Sequence, residues 1–250
     1  IAFALSLIMF FVLCLYLLKS KVAALLASLM LAYSPVYLQR TGVGISSHEA
    51  LGMVFFFLAL LVYAVSMNNY QKGWKWSIFL GIATGFSLAL SLFAWAGVSN
   101  FALMIFSLCM LTFYFFGIKE EGIETRQKFI VFSLLWVIVS VISMPLFGYS
   151  FATMIDRILS NYGLLAPFSL VLMAIDTGLE KYSNRIGFGR SKYRILYALA
   201  GTFFIGFLFL IIFSGKTPLS IISGIYSQLL RPLGQERVAL TVAYFAQPYL

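Results

Sequence analysis

The sequence predicts an all-α membrane protein, a bundle of about eight spanning helices. Hydrophobic residues make up 62% of the 250-residue chain, charged residues make up 10%, and the mean hydropathy is +0.99. Globular proteins average roughly 45–50% apolar and about 25% charged residues, so the excess apolar surface is expected to face lipid. The apolar runs are continuous and roughly 15–21 residues long, which fits helices across a hydrocarbon core about 30 Å thick rather than the alternating strands of a barrel.

Eight apolar segments follow one another between polar breaks. We predict helices at 1–18, 22–38, 49–67, 77–97, 99–116, 129–149, 164–179 and 195–214. Lys19-Ser-Lys21 predicts a tight turn, residues 68–75 and 117–128 predict polar loops, and residues 180–194 carry five basic side chains. The chain opens within an apolar run without a methionine and ends in a predicted loop, so we interpret it as an internal piece of a longer membrane protein. The first run lacks a basic flank and a cleavage site, so we do not expect a signal peptide.

The last part of the chain differs from the helical segments. Residues 215–250 contain Pro218, Pro232 and Pro248 and include no run that is apolar enough to span a bilayer. A loop of this length is expected to be functional or to re-enter the membrane surface. The sequence therefore predicts two regions, a transmembrane bundle at 1–214 and a long outer loop at 215–250.

The basic residues are distributed unequally between the two membrane faces. With alternating helices, twelve of the seventeen Lys and Arg residues fall on one side and five on the other. The positive-inside rule makes the richer side cytoplasmic, which places residues 40–49 and 215–250 together on the extracytoplasmic face. Because the charges lie in short loops, the net charge of +9 indicates orientation in the lipid bilayer and not binding to nucleic acid.

Residues 40–49, Arg-Thr-Gly-Val-Gly-Ile-Ser-Ser-His-Glu, form a polar island between two apolar runs. This island holds His48, the single histidine, and Glu49, the only carboxylate in the first 119 residues. One interpretation is structural, since Ser46 and Glu49 have the spacing of a capping box at a helix start. The other is functional, because a carboxylate and an imidazole at an outer membrane face suit Mn²⁺ or Mg²⁺, and Arg40 could pair with a phosphate. Both interpretations stay open at this point.

Three stretches together resemble the oligosaccharyltransferase catalytic-subunit family, a family of GT-C glycosyltransferases. Pro35-Val-Tyr-Leu-Gln-Arg40-Thr-Gly-Val-Gly44, followed by Glu49, is similar to the second outer loop, where an Asp-x-Glu pair, or Asp-x-His in some archaeal members, follows an Arg and a Gly turn. Leu92-Phe-Ala-Trp95-Ala-Gly97 resembles a later Ser-Trp-Gly-Gly-type stretch. Arg237-Val-Ala-Leu-Thr241-Val-Ala-Tyr244-Phe-Ala-Gln-Pro248 resembles the fifth outer loop, which carries a Ser/Thr-x-x-Glu motif.

The resemblance implies transfer of a glycan from a dolichyl phosphate or pyrophosphate to the Asn of an Asn-x-Ser/Thr sequence. It implies Glu49 as a metal ligand with His48 beside it, and Mn²⁺ or Mg²⁺ as the cofactor. The resemblance implies catalytic positions at Arg40, Glu49 and Tyr244. The remaining motif positions that it implies are Ser47, Trp95, Gly97, Arg237 and Thr241. Two of these residues depart from the family pattern, because Ser47 stands where the first acidic residue is expected and Tyr244 where the fifth-loop Glu is expected.

Two other functions compete with the transferase. A non-catalytic paralogue that scaffolds other membrane subunits is favoured by Ser47 and Tyr244. A transporter would place polar residues near the middle of broken helices, whereas the charges of this chain cluster at helix ends. For the transferase, the implied partners are a lipid-linked oligosaccharide and an acceptor protein.

Overall fold

A computed structural model describes residues 1–35, 37–38, 48–95, 98–118, 121–150, 153, 163–182 and 194–214. Within these residues the secondary structure is helical and contains no strand, which confirms the predicted all-α class. The helices are α1 Ala2–Leu18, α2 Lys21–Ala32, α3 His48–Asn69, α4 Trp74–Ala94, α5 Ser99–Thr112, α6 Ile123–Ile142, α7 Leu165–Lys181 and α8 Arg194–Ser214. The chain divides into two compact units, residues 1–198 and 199–250. Of the second unit, the structure describes residues 199–214.

Several helix boundaries differ from the prediction; α6, for example, ends at Ile142 and not at 149. Two of the differences have a clear physical reason. Helix α2 ends at Ala32, short of the predicted 38, because Pro35 lacks an amide hydrogen and disfavours helix in the residue before it. Helix α6 begins at Ile123 instead of 129, so half of the predicted polar loop is helical. Glu124 and Lys128 form an i,i+4 ion pair of 2.7 Å across its first turns, which is the arrangement that supports a charged helix start.

Glycines bring α4 and α6 into close contact. A Cβ atom on Gly81 would lie 2.9 Å from the Phe132 carbonyl oxygen, and one on Gly85 would lie 2.7 Å from the Trp136 carbonyl oxygen. Small residues permit this backbone approach between helices in lipid, where apolar packing has to replace the hydrophobic effect. The α4–α6 pair therefore forms the centre of the bundle.

Aromatic side chains fill the space beside this helix pair. The rings of Tyr63 and Phe106 lie 4.6 Å apart, and those of Phe106 and Trp136 lie 5.7 Å apart. The Tyr63 hydroxyl donates to the Phe106 carbonyl oxygen at 3.1 Å, so α3 and α5 are joined inside the bundle. All three rings are at most 4% exposed.

Among the described residues, three helical stretches are long and apolar enough to cross a membrane, Glu49–Lys72, Trp74–Ala94 and Ile123–Phe147. Large apolar side chains also cover the outside of the protein, among them Phe79 at 60% and Met30 at 78% exposed. Such surface is stable against lipid rather than water. The protein is therefore an integral membrane protein.

Contacts between helix ends agree with alternating helix directions. At one end of the bundle, Asn68 of α3 donates to the Tyr16 hydroxyl of α1 at 2.8 Å. At the same end, the Ser77 hydroxyl of α4 donates to the Lys128 carbonyl oxygen of α6 at 2.6 Å. This end carries the basic loops of the first unit. Its assignment to the cytoplasm remains a prediction.

Candidate functional site

Glu49 lies in the first turn of α3, at the end of the bundle away from the basic loops. Its side chain is half-buried, and Gly52 and Phe56, which follow at helical spacing, are buried. Residues three and four positions apart share one helix face, so Glu49 belongs to the stripe of α3 that faces protein. The exposed side chain of Leu51, at 46%, points away from this stripe.

The last turn of α4 lies against the first turn of α3. Trp95 follows α4 in an extended conformation, with φ −149° and ψ 108°, and its amide donates to the Ser91 carbonyl oxygen at 3.1 Å. The Ser91 hydroxyl donates to the Gly52 carbonyl oxygen at 3.5 Å. A Cβ atom on Gly52 would overlap the Cβ of Trp95 and would lie 3.4 Å from its Cγ. The structure therefore brings together two stretches that the sequence analysis singled out separately.

The first turn of α3 is a position that suits a carboxylate side chain. The amide groups in the first turn of a helix have no intrahelical acceptor, and the helix dipole gives this end a partial positive charge. A carboxylate here is stabilised by roughly 0.3–1 kcal/mol at an exposed site. The Glu49 carboxylate is thus a half-buried oxygen ligand at a helix end. Such a group can bind a cation or accept a hydrogen bond.

The other predicted site residues lie outside the described part of the chain. They are Arg40, Ser47, Gly97, Arg237, Thr241 and Tyr244. His48 begins α3, but its side chain is outside the described residues, as is Ser46 of the predicted capping box. The capping and metal interpretations of the polar island therefore both remain predictions.

The described residues do not provide a metal site by themselves. No group of three or more His, Cys, Asp or Glu side chains that could hold an ion occurs among them. Mg²⁺ requires near-octahedral oxygen coordination, and Glu49 supplies one ligand group. Any ion at this end of the bundle would need donors from His48, from other residues outside the described part of the chain or from a substrate.

A second polar cluster occupies the opposite end of the bundle, where the sequence analysis named no site residue. Asp176, near the end of α7, is 1% exposed. Its Oδ1 accepts from Arg194 Nε at 2.9 Å, and its Oδ2 accepts from the Tyr114 hydroxyl at 2.9 Å. The guanidinium of Arg126, 3% exposed, lies 3.7 Å from the same Oδ2 and also pairs with Glu180.

This charged cluster joins four helix ends. It connects the turn after α5, the starts of α6 and α8 and the end of α7, and Glu180 closes it through Arg194 Nη1 at 3.0 Å. Two guanidinium groups face two carboxylates, so the charges balance and leave no net charge for a ligand. A clue was present in the sequence, because Asp176 and Glu180 share a face of α7 at i,i+4 spacing. The partners could not be read from that spacing.

Comparison with known proteins was made for the whole chain. The family model described as oligosaccharyl transferase STT3, N-terminal, matches residues 2–246. No curated protein and no solved structure matches the chain significantly. The family match spans all of the described helices and both the 40–49 and 237–246 stretches.

Proposed function

This chain belongs to the oligosaccharyl transferase STT3 family, whose role is protein N-glycosylation, and we propose that it forms the membrane part of a catalytic subunit. The proposed donor is a glycan on a dolichyl phosphate or pyrophosphate. The proposed acceptor is the Asn side chain of an Asn-x-Ser/Thr sequence in a protein. The reaction joins the Asn amide nitrogen to C1 of the first sugar, breaks the bond from C1 to the phosphate oxygen and releases an amide proton.

One observation carries this proposal, namely the position of Glu49 in the first turn of α3 beside the end of α4. The family motifs supply Glu49 from one stretch and Trp95 from another, 46 positions further along the chain. The overlap that a Cβ on Gly52 would make with Trp95 shows that these stretches are adjacent. A carboxylate on the protein-facing stripe of α3, at the end of the bundle opposite the basic loops, suits a site at the extracytoplasmic membrane surface.

The polar groups of this region have complementary roles in the proposed reaction. Glu49 holds a negative charge at the site, and His48 adds a nitrogen donor next to it. The guanidinium of Arg40 is permanently charged and matches phosphate oxygens in a fork, so it would stabilise the departing carrier phosphate. Mn²⁺ or Mg²⁺, when bound, would supply further positive charge for the same leaving group.

Ser47 and Tyr244 favour a second candidate, a non-catalytic paralogue within a membrane complex. Both replace a carboxylate of the family pattern with a hydroxyl group. A tyrosine side chain has a reference pKa near 10, so it does not supply the negative charge of a carboxylate at neutral pH. Under this alternative, Glu49 would serve only as a charge that suits the helix start. The two candidates make opposite predictions for the effect of neutralising Glu49.

The experiment compares two Glu→Gln variants of the full-length protein in an assay of glycan transfer. The donor is a dolichyl-linked oligosaccharide, and the acceptor is a fluorescent Asn-x-Thr peptide. Glu49→Gln is expected to lower kcat by at least about 100-fold, the size of effect seen when one electrostatic group is removed from an active site. Glu124→Gln is the matched control, because its carboxylate is 69% exposed and lies at the other end of the bundle.

A Glu49→Gln variant as active as the wild type would contradict the catalytic role of Glu49. A wild-type protein that transfers no glycan would favour the scaffold function instead. Co-purification with other membrane subunits would then be the next measurement.

A further inference from the structure

The contact between α3 and α4 suggests a role for Gly52 that the family motifs do not include. Glycine is, apart from proline, the residue least favourable to a helix interior, and Gly52 lies inside the first two turns of α3. A Cβ atom at this position would overlap the Trp95 Cβ and would come within 3.4 and 3.5 Å of two further Trp95 side-chain atoms. The absence of a side chain at position 52 is therefore what allows the end of α4 to approach α3 this closely.

The overlapping atom cannot move away easily. It is the Cβ of Trp95, which is attached directly to the backbone. That backbone is held by a hydrogen bond, in which the Trp95 amide donates to the Ser91 carbonyl oxygen at 3.1 Å. The amide of Val98, which is fully buried, donates to the Trp95 carbonyl oxygen at 3.0 Å. A side chain at position 52 would therefore push the first turn of α3, not the end of α4.

We infer that Gly52 is a positioning residue for Glu49, set by its contact with Trp95; this inference rests on the proposed function. Glu49 lies three residues before Gly52 on the same helix face. The first turn moves as one piece, since its carbonyl groups accept hydrogen bonds from the next turn. To restore an ordinary carbon–carbon separation of about 3.5–4.0 Å, the turn would shift by on the order of 1 Å and carry Glu49 with it.

The size of the expected effect follows from this displacement. A misplacement of about 1 Å in an active site can lower the rate about 100-fold. Because Glu49 keeps its charge and chemistry, the acceptor peptide can still bind. We therefore expect Gly52→Ala to lower kcat of glycan transfer about 100-fold, with a change in KM for the peptide of less than about threefold.

Two other glycines of the same bundle provide matched controls. A Cβ atom on Gly178, in α7, meets no atom within 4 Å, so Gly178→Ala should leave kcat and the thermal midpoint nearly unchanged. A Cβ atom on Gly81 would lie 2.9 Å from the Phe132 carbonyl oxygen in the bundle centre. Gly81→Ala should therefore lower the thermal midpoint, and it measures what a folding defect far from Glu49 does to kcat.

A double-mutant cycle identifies the cause. Trp95→Gly removes the overlapping Cβ. Adding Gly52→Ala in that background should therefore lower kcat by less than about threefold, which is close to the scatter found for mutations that do not interact. An equal loss with and without the Trp95 side chain would overturn the inference. So would a Gly52→Ala variant within about threefold of wild-type kcat, or one whose loss of kcat matches that of Gly81→Ala at equal loss of thermal stability.

The failure of this inference differs from the failure of the proposed function. If Glu49→Gln abolishes transfer while Gly52→Ala does not, the function stands and the positioning role is wrong. If Glu49→Gln retains full activity, the proposed function is wrong, and the positioning role falls with it.

Discussion

Replacing Asp176 with asparagine is expected to destabilise the protein strongly. The Asp176 carboxylate is 1% exposed and accepts hydrogen bonds from Arg194 and Tyr114, each at 2.9 Å. Asp176→Asn would leave two guanidinium groups facing the single carboxylate of Glu180, with Arg126 only 3% exposed. Removing one partner of a buried ion pair typically costs about 3–5 kcal/mol, because the remaining charge stays buried without compensation.

The measurement is thermal unfolding of the purified protein in detergent. For a chain of this size each kcal/mol lowers the thermal midpoint by about 2–4 °C, so Asp176→Asn should lower it by about 6–20 °C. Glu124→Gln is the control, because Glu124 pairs with Lys128 and its side chain is 69% exposed. Exposed pairs contribute about 0–1 kcal/mol, so the control should lose no more than about 4 °C.

Equal midpoints for Asp176→Asn and Glu124→Gln would refute the burial argument. A second comparison tests the electrostatic cause. The double variant Arg126→Met/Asp176→Leu removes one charge of each sign and keeps the 3.0 Å pair of Arg194 with Glu180. Since uncharged pairs of similar volume often replace buried ion pairs at little cost, this variant should be more stable than Asp176→Asn alone.

Three further predictions concern the site and the topology. Ser47→Asp combined with Tyr244→Glu restores two carboxylates of the family pattern and should raise transfer to an Asn-x-Thr peptide. Unchanged transfer would show that these two positions do not take part in the reaction. Removing divalent ions with a chelator should abolish transfer, and Mn²⁺ or Mg²⁺ should restore it, whereas activity that resists chelation would contradict the proposed cofactor. In a background without Cys14 and Cys109, cysteines at Ser47 and Ser220 should react with a membrane-impermeant reagent from the outside, and a cysteine at Ser191 should not, as the basic-loop distribution predicts.

The sequence alone was sufficient for the helical class and for most helix boundaries. Backbone groups in lipid have no water to bond to and must form their hydrogen bonds within the protein. A continuous apolar run achieves this by forming a helix. The signal is therefore local, and the breaks at Lys19-Ser-Lys21 and at residues 68–75 appear between helices in the structure. The early start of α6 was missed because Glu124, Arg126 and Lys128 suggested a loop, whereas ion pairs keep these residues helical.

The candidate site was predictable as residue types but not as an arrangement. Glu49 stood out because it is the only carboxylate in the first 119 residues, and its position in a first helical turn agrees with the sequence. Its distance from Trp95 could not be read from the sequence, because these residues are 46 positions apart. Their adjacency depends on how α3 and α4 are rotated about their axes. Contacts along the helix pair set that rotation, among them Gly52 against Trp95 and Ser66 Oγ with Thr84 Oγ1 at 3.1 Å.

Asp176 is a second residue whose chain position could be predicted from the sequence, whereas its surroundings could not. Its position near the end of α7 follows from the apolar run before it, and aspartates are mostly exposed to water. Its burial depends on three other helices, which bring Tyr114, Arg126 and Arg194 to one point. Whether a charge near a helix end is solvated or paired is a matter of which helices are neighbours. That choice is made by packing between distant segments, such as Gly81 and Gly85 against α6, and not by any local pattern in the chain.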